Sequence, residues 1–309
     1  MNPAMHMISL EVSQALAEAR AVVALESSVI AQGLPWPENL ETARAVEAAV
    51  RQAGAVPATI AVSGGRIRVG LAEPEMERLA RSGSFTKASR RDLAAAAARG
   101  LDAATTVSAT LWIARRHGII VMSTGGLGGI HREAAKSFDV STDLDELARS
   151  DGALVVCSGI KSILDTAATL EALETRGVAV VGYGTNILPE FTTVSSGLPL
   201  EVRVDHPEEA AALVRAHRAL GLPGAVVLAQ PVPGNVALDR HEMETALNAA
   251  LEDARLHSVT GKALTPFLLE FLRHATSGRS LRANRALLVS NAQLAGSVAA
   301  LAAGSRSEA

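Results

Sequence analysis

Three apolar runs of this sequence end in polar residues able to do chemistry. Leu25 passes into Glu26-Ser27-Ser28, Ser123 into Thr124-Gly125-Gly126-Leu127-Gly128-Gly129, and Cys157 into Ser158-Gly159-Ile160-Lys161. In open α/β sheets, sites gather beyond the carboxyl ends of the strands, so these loops are expected to face one crevice. Glu26 has no adjacent cation in the sequence. A carboxyl group at an apolar strand end suits a general acid near neutral pH, and it equally suits a residue that surfaces where its strand stops. Lys161 precedes Ser162-Ile163-Leu164-Asp165, whose Ser and Asp have capping-box spacing. A cation at a helix start opposes the helix dipole by roughly 0.3–1 kcal/mol, and the same field favours the neutral amine. A lysine nucleophile must lose its proton, from an ordinary pKa of about 10.4, before it attacks a carbonyl carbon. A solvated loop lysine is the alternative, and Asp165 is better explained by helix-start chemistry.

The glycine-rich loop could offer backbone N–H groups to a phosphate or a carbonyl oxygen, although it matches neither the dinucleotide fingerprint nor the Walker A spacing. His131-Arg132 beyond it suits an anion or a surface pair. Asp139, Ser141 and Asp143 alternate, so in an extended segment they point to one side. Two carboxylates and a hydroxyl there suit a hard cation such as Mg²⁺ or Mn²⁺; a helix cap at Ser141 or Thr142 explains the same residues structurally. Lys87-Ala88-Ser89-Arg90-Arg91-Asp92 is a basic run with capping-box spacing, attractive for phosphate and equally typical of a solvated helix start.

The elements that must position these residues follow from periodicity. Short β-branched runs alternate with alanine-rich stretches of helical period, the pattern of a sheet covered by helices on both faces. Strands are expected over 21–25, 58–62, 66–71, 119–123, 153–157, 178–183 and 225–229, with Ser63-Gly64-Gly65 turning a hairpin. Helices are expected over 39–52, 89–99, 109–116, 162–176 and from Pro207, with a mainly helical remainder, about 239–303, packed on the rest. The chain carries no internal repeat and no linker, so 1–309 reads as a single domain.

Composition narrows the function classes. With Lys+Arg at 29 and Asp+Glu at 32, the formal charge of -3 draws no polyanion globally, and 3% aromatic residues build no stacking platform for single strands. A small-molecule substrate is expected, with no nucleic acid. The single cysteine, Cys157, forms no internal disulfide, and no Cys/His cluster has zinc spacing, so a reducing, cytoplasmic setting is expected. The start, Met1 to Met7, lacks a secretory pattern, and no segment offers roughly 18 uninterrupted apolar residues, so no membrane insertion is expected.

In order along the chain, these residues resemble the pseudouridine-5'-phosphate glycosidase, or indigoidine synthase A-like, family. The resemblance covers nearly the whole chain. It is carried by Ala24-Leu25-Glu26-Ser27, Gly33-Leu34-Pro35, Pro57 to Ile60, Lys87 with Ser89 to Asp92, Ala104 to Val107, Ser123 to Arg132, Lys161 to Asp165, Val181 to Thr185, Gly261-Lys262, Thr265 to Leu268, Asn284 and Asn291. Ser158 and Ile160 depart from the alanine more usual before the lysine, and Asn186-Ile187-Leu188 from a more acidic stretch.

The resemblance implies a three-layer α/β/α fold with a mainly parallel or mixed sheet, and a homotrimer. It implies Glu26 as proton donor, Lys161 as nucleophile and Asp139 as ligand of a divalent metal, usually Mn²⁺. Lys87, Val107, Ser141, Thr142 and Asp143 match substrate-binding positions, with His131 and Asn284 further candidates. The implied reaction is reversible cleavage of pseudouridine 5'-phosphate to uracil and ribose 5-phosphate through a lysine imine with the ring-opened sugar. Another lysine-dependent sugar-phosphate lyase, an N-nucleosidase and a non-catalytic sugar-phosphate sensor are the rivals.

Overall fold

The computed structural model describes residues 5–132, 134–259 and 261–304. Residues 1–4 of the chain start and the Lys262 side chain, both used in reading the sequence, lie outside the described residues. The first half runs β1 (His6–Ile8), α1 (Leu10–Ala17), β2 (Val22–Glu26), α2 (Glu38–Gln52), β3 (Val56–Ser63), β4 (Arg66–Val69), α3 (Glu73–Arg81), β5 (Thr86–Ala88), α4 (Leu93–Ala98), β6 (Ala103–Thr105) and α5 (Val107–Arg116). The second runs β7 (Val121–Ser123), α6 (Ala134–Ser137), α7 (Thr142–Ala148), β8 (Leu154–Cys157), α8 (Thr166–Thr175), β9 (Ala179–Tyr183), β10 (Val202–Val204), α9 (Pro207–Ala219) and β11 (Val226–Ala229). It closes with α10 (Arg240–Leu256), α11 (Leu264–Ala275) and α12 (Arg279–Gly304).

All described strands join one sheet, ordered β1-β4-β3-β2-β7-β8-β11-β9-β10, with β6 on β3 and β5 on β6. Only β3–β4 and β3–β6 pair antiparallel, so the sheet is mixed and mostly parallel. The expected hairpin forms, with Ser63 opposite Arg66 across Gly64-Gly65. From central β2 the chain builds outward through β3 and β4, then returns to lay β7 on the other side of β2. The strand order therefore switches between β2 and β7, and such a switch opens a crevice at the carboxyl ends of the two strands.

Strand residues alternate between faces, which divides the core into two layers. Val22 and Ala24 of β2 and Val155 and Cys157 of β8 pack with α1, α4, α5 and α7. Val23, Leu25, Leu154 and Val156 face α2, α9 and α12. The result is the three-layer α/β/α arrangement expected from the sequence. Helices α10, α11 and the first half of α12 gather a further apolar cluster with Leu34, Ile160, Ile163, Leu164, Leu188 and Phe191, which roofs the strand ends. By length and composition α12 could cross a bilayer, but Leu287, Leu288, Ala292, Ala295 and Val298 are spent on the core.

One expected boundary is corrected. Helix α8 begins at Thr166, not at Ser162, and Asp165 is its N-cap, accepting from Ala168 N at 3.0 Å. Tertiary pairing wins over the local cap: Ile160 bridges to Leu127, Leu164 to His131, and Asp165 N donates to Ile130 O. Lys161 is thus held in a loop, outside the first helical turn, and the helix-dipole argument for its neutral amine does not apply.

Candidate active site

Glu26 is the last residue of β2, at the switch point, and is 6% exposed. Its Oε2 accepts from Ser28 Oγ at 2.6 Å, and its Oε1 accepts a short hydrogen bond from Thr124 Oγ1 at the end of β7. The apolar run that buries Glu26 thus delivers it to two hydroxyls. Buried Asn291 of α12 ties the neighbouring loops together: its Nδ2 donates to Thr124 O at 3.0 Å and to Ser158 Oγ at 3.1 Å.

The loops after β7 and β8 continue the parallel pairing beyond the sheet. Leu127 N donates to Gly159 O at 2.9 Å and Lys161 N to Leu127 O at 3.1 Å, which fixes the half-buried lysine beside the glycine loop. Gly159 has φ +75°, and a Cβ there would stand 1.9 Å from Pro189 O, so only glycine fits. The glycine loop is pinned in turn by Asp143. Its Oδ2 accepts from Gly128 N at 3.0 Å and its Oδ1 from Ser108 N at 2.9 Å, in the first turn of α5. A Cβ on Gly128 would lie 2.6 Å from Asp143 Oδ2, so the absence of a side chain permits this approach.

Of the two readings of Asp139, Ser141 and Asp143, the cap holds. Ser141 is the N-cap of α7, accepting from Asp143 N at 3.2 Å, and Asp143 lies inside that helix. The extended alternation does not occur, and Asp143 accepts from two backbone donors. Asp139 remains as the exposed-side carboxylate, its Oδ2 3.9 Å from His131 Nε2. Burial, with Lys87 and Lys161 nearby, holds His131 below the usual imidazole pKa, while Asp139 opposes the shift. Among the described residues no three His, Cys, Asp or Glu converge as a zinc-type cage requires. One carboxylate facing a polar cavity suits a hydrated hard cation, which keeps most of its ligands as water.

Two connected cavities gather nearly all the expected residues. One, of about 240 Å³, is lined by Lys87, Val107, His131, Asp139, Ser141, Thr142, Asp143 and Lys161. The other, of about 40 Å³, is lined by Glu26, Lys87, Lys161 and Asn284. They share Ser28, Lys87, Lys161 and Thr265, so Lys161 stands at their junction. Arg91 joins the first cavity, whereas Arg90 pairs with buried Glu146 at 2.9 Å. The expected Ser89–Asp92 box forms at the start of that segment. Arg132 leaves the site: its guanidinium clasps Glu244 at 2.6 and 3.0 Å, the surface-pair reading. Sequence reasoning gave no site role to Thr265, Gln32 and Phe191, which also line the second cavity or its junction; Thr265 stands in a motif that carries the resemblance, whereas Gln32 and Phe191 are brought there by the order of the folded loops.

Fold and site together define an open α/β enzyme whose acid and lysine share a crevice at the strand switch. The chain belongs to the family described as Indigoidine synthase A like protein, whose model matches residues 11–301. It is 50% identical over 292 residues to a pseudouridine-5'-phosphate glycosidase of Caldanaerobacter subterraneus subsp. tengcongensis, covering 94% of this chain and 95% of that one. A protein of the same name from Hahella chejuensis is 49% identical over 294 residues, covering 95% and 97%. Among solved structures, the prealnumycin C-glycosynthase AlnA in complex with ribulose 5-phosphate superposes with TM-score 0.90 at 40% identity, covering 99% of both chains. An indigoidine synthase A-like protein from Thermotoga maritima gives TM-score 0.87 at 38% identity, covering 96% of both. The resemblance read from the sequence is borne out.

Proposed function

We propose that this protein cleaves the carbon–carbon glycosidic bond of pseudouridine 5'-phosphate, releasing uracil and ribose 5-phosphate. The observation that carries this is the place of Lys161, at the junction between a cavity with Lys87, Arg91 and His131 and a cavity with Glu26 and Asn284. The end where Arg91 joins Lys87 suits the phosphate, the end with Asn284 the base, and the reacting C1' then falls at the lysine. The names of the relatives agree with this substrate.

A carbon leaving group cannot be protonated on a lone pair, as the departing oxygen of ordinary glycosides is, so another electron sink is required. Protonated Glu26 gives its proton to the ring oxygen as the Lys161 amine attacks C1', forming C–N and breaking C–O. The attacking nitrogen, now a cation, loses a proton to the Glu26 carboxylate; its lone pair then forms C=N as the C1'–C5 bond breaks, and C5 of the departing uracil takes that proton. Water adds to the imine and frees ribose 5-phosphate from Lys161. We place a divalent metal, Mn²⁺ by resemblance, at Asp139; it would supply positive charge beside the phosphate end. Lys87 supplies charge from the protein itself.

The test is product chromatography with pseudouridine 5'-phosphate, uridine 5'-phosphate and deoxyribose 5-phosphate, together with borohydride trapping. The parent is expected to release uracil from the first only and to trap the sugar, and Lys161→Ala to do neither. Turnover at the parent rate by Lys161→Ala refutes the covalent role, and selective cleavage of either other substrate favours a nucleosidase or an aldolase. Binding without turnover favours a sensor. A homotrimer with bound Mn²⁺, in the cytoplasm, completes the proposal; sedimentation, metal analysis and cell fractionation test its three parts.

A further inference from the structure

Beyond Lys161 the second cavity opens into a chamber of about 290 Å³, and the two share Gln32, Gly33, Phe191, Pro266, Leu269 and Asn284. Two side-chain oxygens at this passage, Gln32 Oε1 and Asn284 Oδ1, are buried without a hydrogen-bond partner among the described residues. The Gln32 amide has a defined orientation. Its Nε2 donates to Phe85 O at 2.8 Å, so the atom left unmet is the acceptor. Asn284 is only 7% exposed. Folded proteins rarely leave buried acceptors unsatisfied, and two of them bordering one passage point to a ligand with two donors. Apolar walls at Phe191, Pro266 and Leu269 suit a flat ring between those acceptors. Gln32 rides on a wide helical turn, Val29–Gly33, that begins three residues after Glu26. One short segment therefore carries both the acid and this acceptor, and π-type turns recur at functional sites.

We propose that Gln32 is a specificity-determining residue: with Asn284 it accepts the two ring N–H donors of a C-linked uracil. This rests on the function proposed above. A uracil joined through C5 keeps both N1–H and N3–H, whereas one joined through N1 keeps only N3–H. An N-linked nucleotide therefore leaves one buried acceptor unmet, which selects for the carbon–carbon glycoside. Sites built to receive a donor discriminate strongly against a ligand that lacks it.

The experiment compares kcat and KM of the parent and Gln32→Met on pseudouridine 5'-phosphate and on its N1-methyl and N3-methyl analogues, with melting curves of both proteins. Each methyl group is expected to cost the parent about 10-fold or more in kcat/KM. Gln32→Met is expected to lose about 10-fold on the unmodified substrate, mainly through KM, and to reduce one of the two methyl penalties below about 3-fold. A parent that tolerates both methyl groups overturns the proposal, as does a Gln32→Met protein that keeps both penalties in full. Should Gln32→Met melt early, the parent's response to the two analogues decides by itself. No cleavage of pseudouridine 5'-phosphate by the parent would instead overturn the proposed function, so the two failures are told apart.

Discussion

At the scale of single residues, Glu26 is held by chemistry that a close substitute can keep. Both of its oxygens accept from hydroxyls, of Ser28 and Thr124, and a hydroxyl can rotate to accept as readily as it donates. Glu26→Gln is therefore expected to fold, with stability changed by no more than about 1 kcal/mol. The amide has no proton to give, so kcat is expected to fall by about 10² to 10⁴, the usual worth of a general acid. Steady-state assays and thermal melts on one preparation check both halves; wild-type turnover removes Glu26 from the chemistry. The strand-end positions of Glu26 and Lys161 were legible in the sequence because apolar runs stop there, whereas their roles came from the family resemblance. Their supports were not: the bond between Thr124 and Glu26 spans 98 residues and exists only because β7 lies beside β2.

At the scale of elements, α12 shows how a core helix shapes the site it backs. Asn291 is fully buried, and its amide bridges Thr124 O at the end of β7 to Ser158 at the end of β8. Asn291→Leu leaves the Thr124 carbonyl without this donor, which is expected to cost about 1–3 kcal/mol of stability. Because Thr124 also holds Glu26, kcat should drop as well. Urea unfolding and activity measured together test this, and an unchanged midpoint would show that the bridge carries no stability. Longer elements were legible: α2 and the central strands lie within a few residues of their expected bounds, α9 starts at the expected Pro207, and the remainder from about 239 is helical as read, since their apolar periods are strong. The edges were not. Three-residue strands β1, β5, β6 and β10 are too short to show alternation, and helices α1 and α3 went unread. The α8 start was misplaced because Ser162 and Asp165 have the spacing of a cap, while the bridges that override it come from a loop some 35 residues earlier. Ser141 is the opposite case, a local cap that the fold retains.

At the scale of the whole molecule, the edge of the sheet is tied to the opposite end of a core helix by a pair of imidazoles. His6 on β1 and His117 at the end of α5 approach at 3.0 Å between Nδ1 and Nε2, across 111 residues of chain. Such a contact needs one donor and one acceptor nitrogen, so at least one ring must be neutral. Burial is the largest cause that holds both below the usual imidazole pKa, and nearby Arg116 adds to it at His6, as His6 does at His117. For a histidine with a depressed folded pKa, the unfolded chain binds the proton first. Stability from the pair is therefore complete above the ordinary value of about 6.5 and is lost as pH falls below it. Half-buried Glu47 and buried Glu146 work in the opposite sense, because burial raises their pKa values and favours the fold at lower pH. Glu270, pushed down to about 2 by its bond to Arg273, and Asp102, lowered by Arg78, titrate below that window. A raw melting profile mixes these contributions, so the informative quantity is a difference. Melting temperature is expected to fall between about pH 7 and pH 5 more steeply in the parent than in His117→Gln, which keeps every carboxylate but removes one imidazole. Identical slopes would mean that the acid sensitivity of this fold originates elsewhere than at the β1 edge.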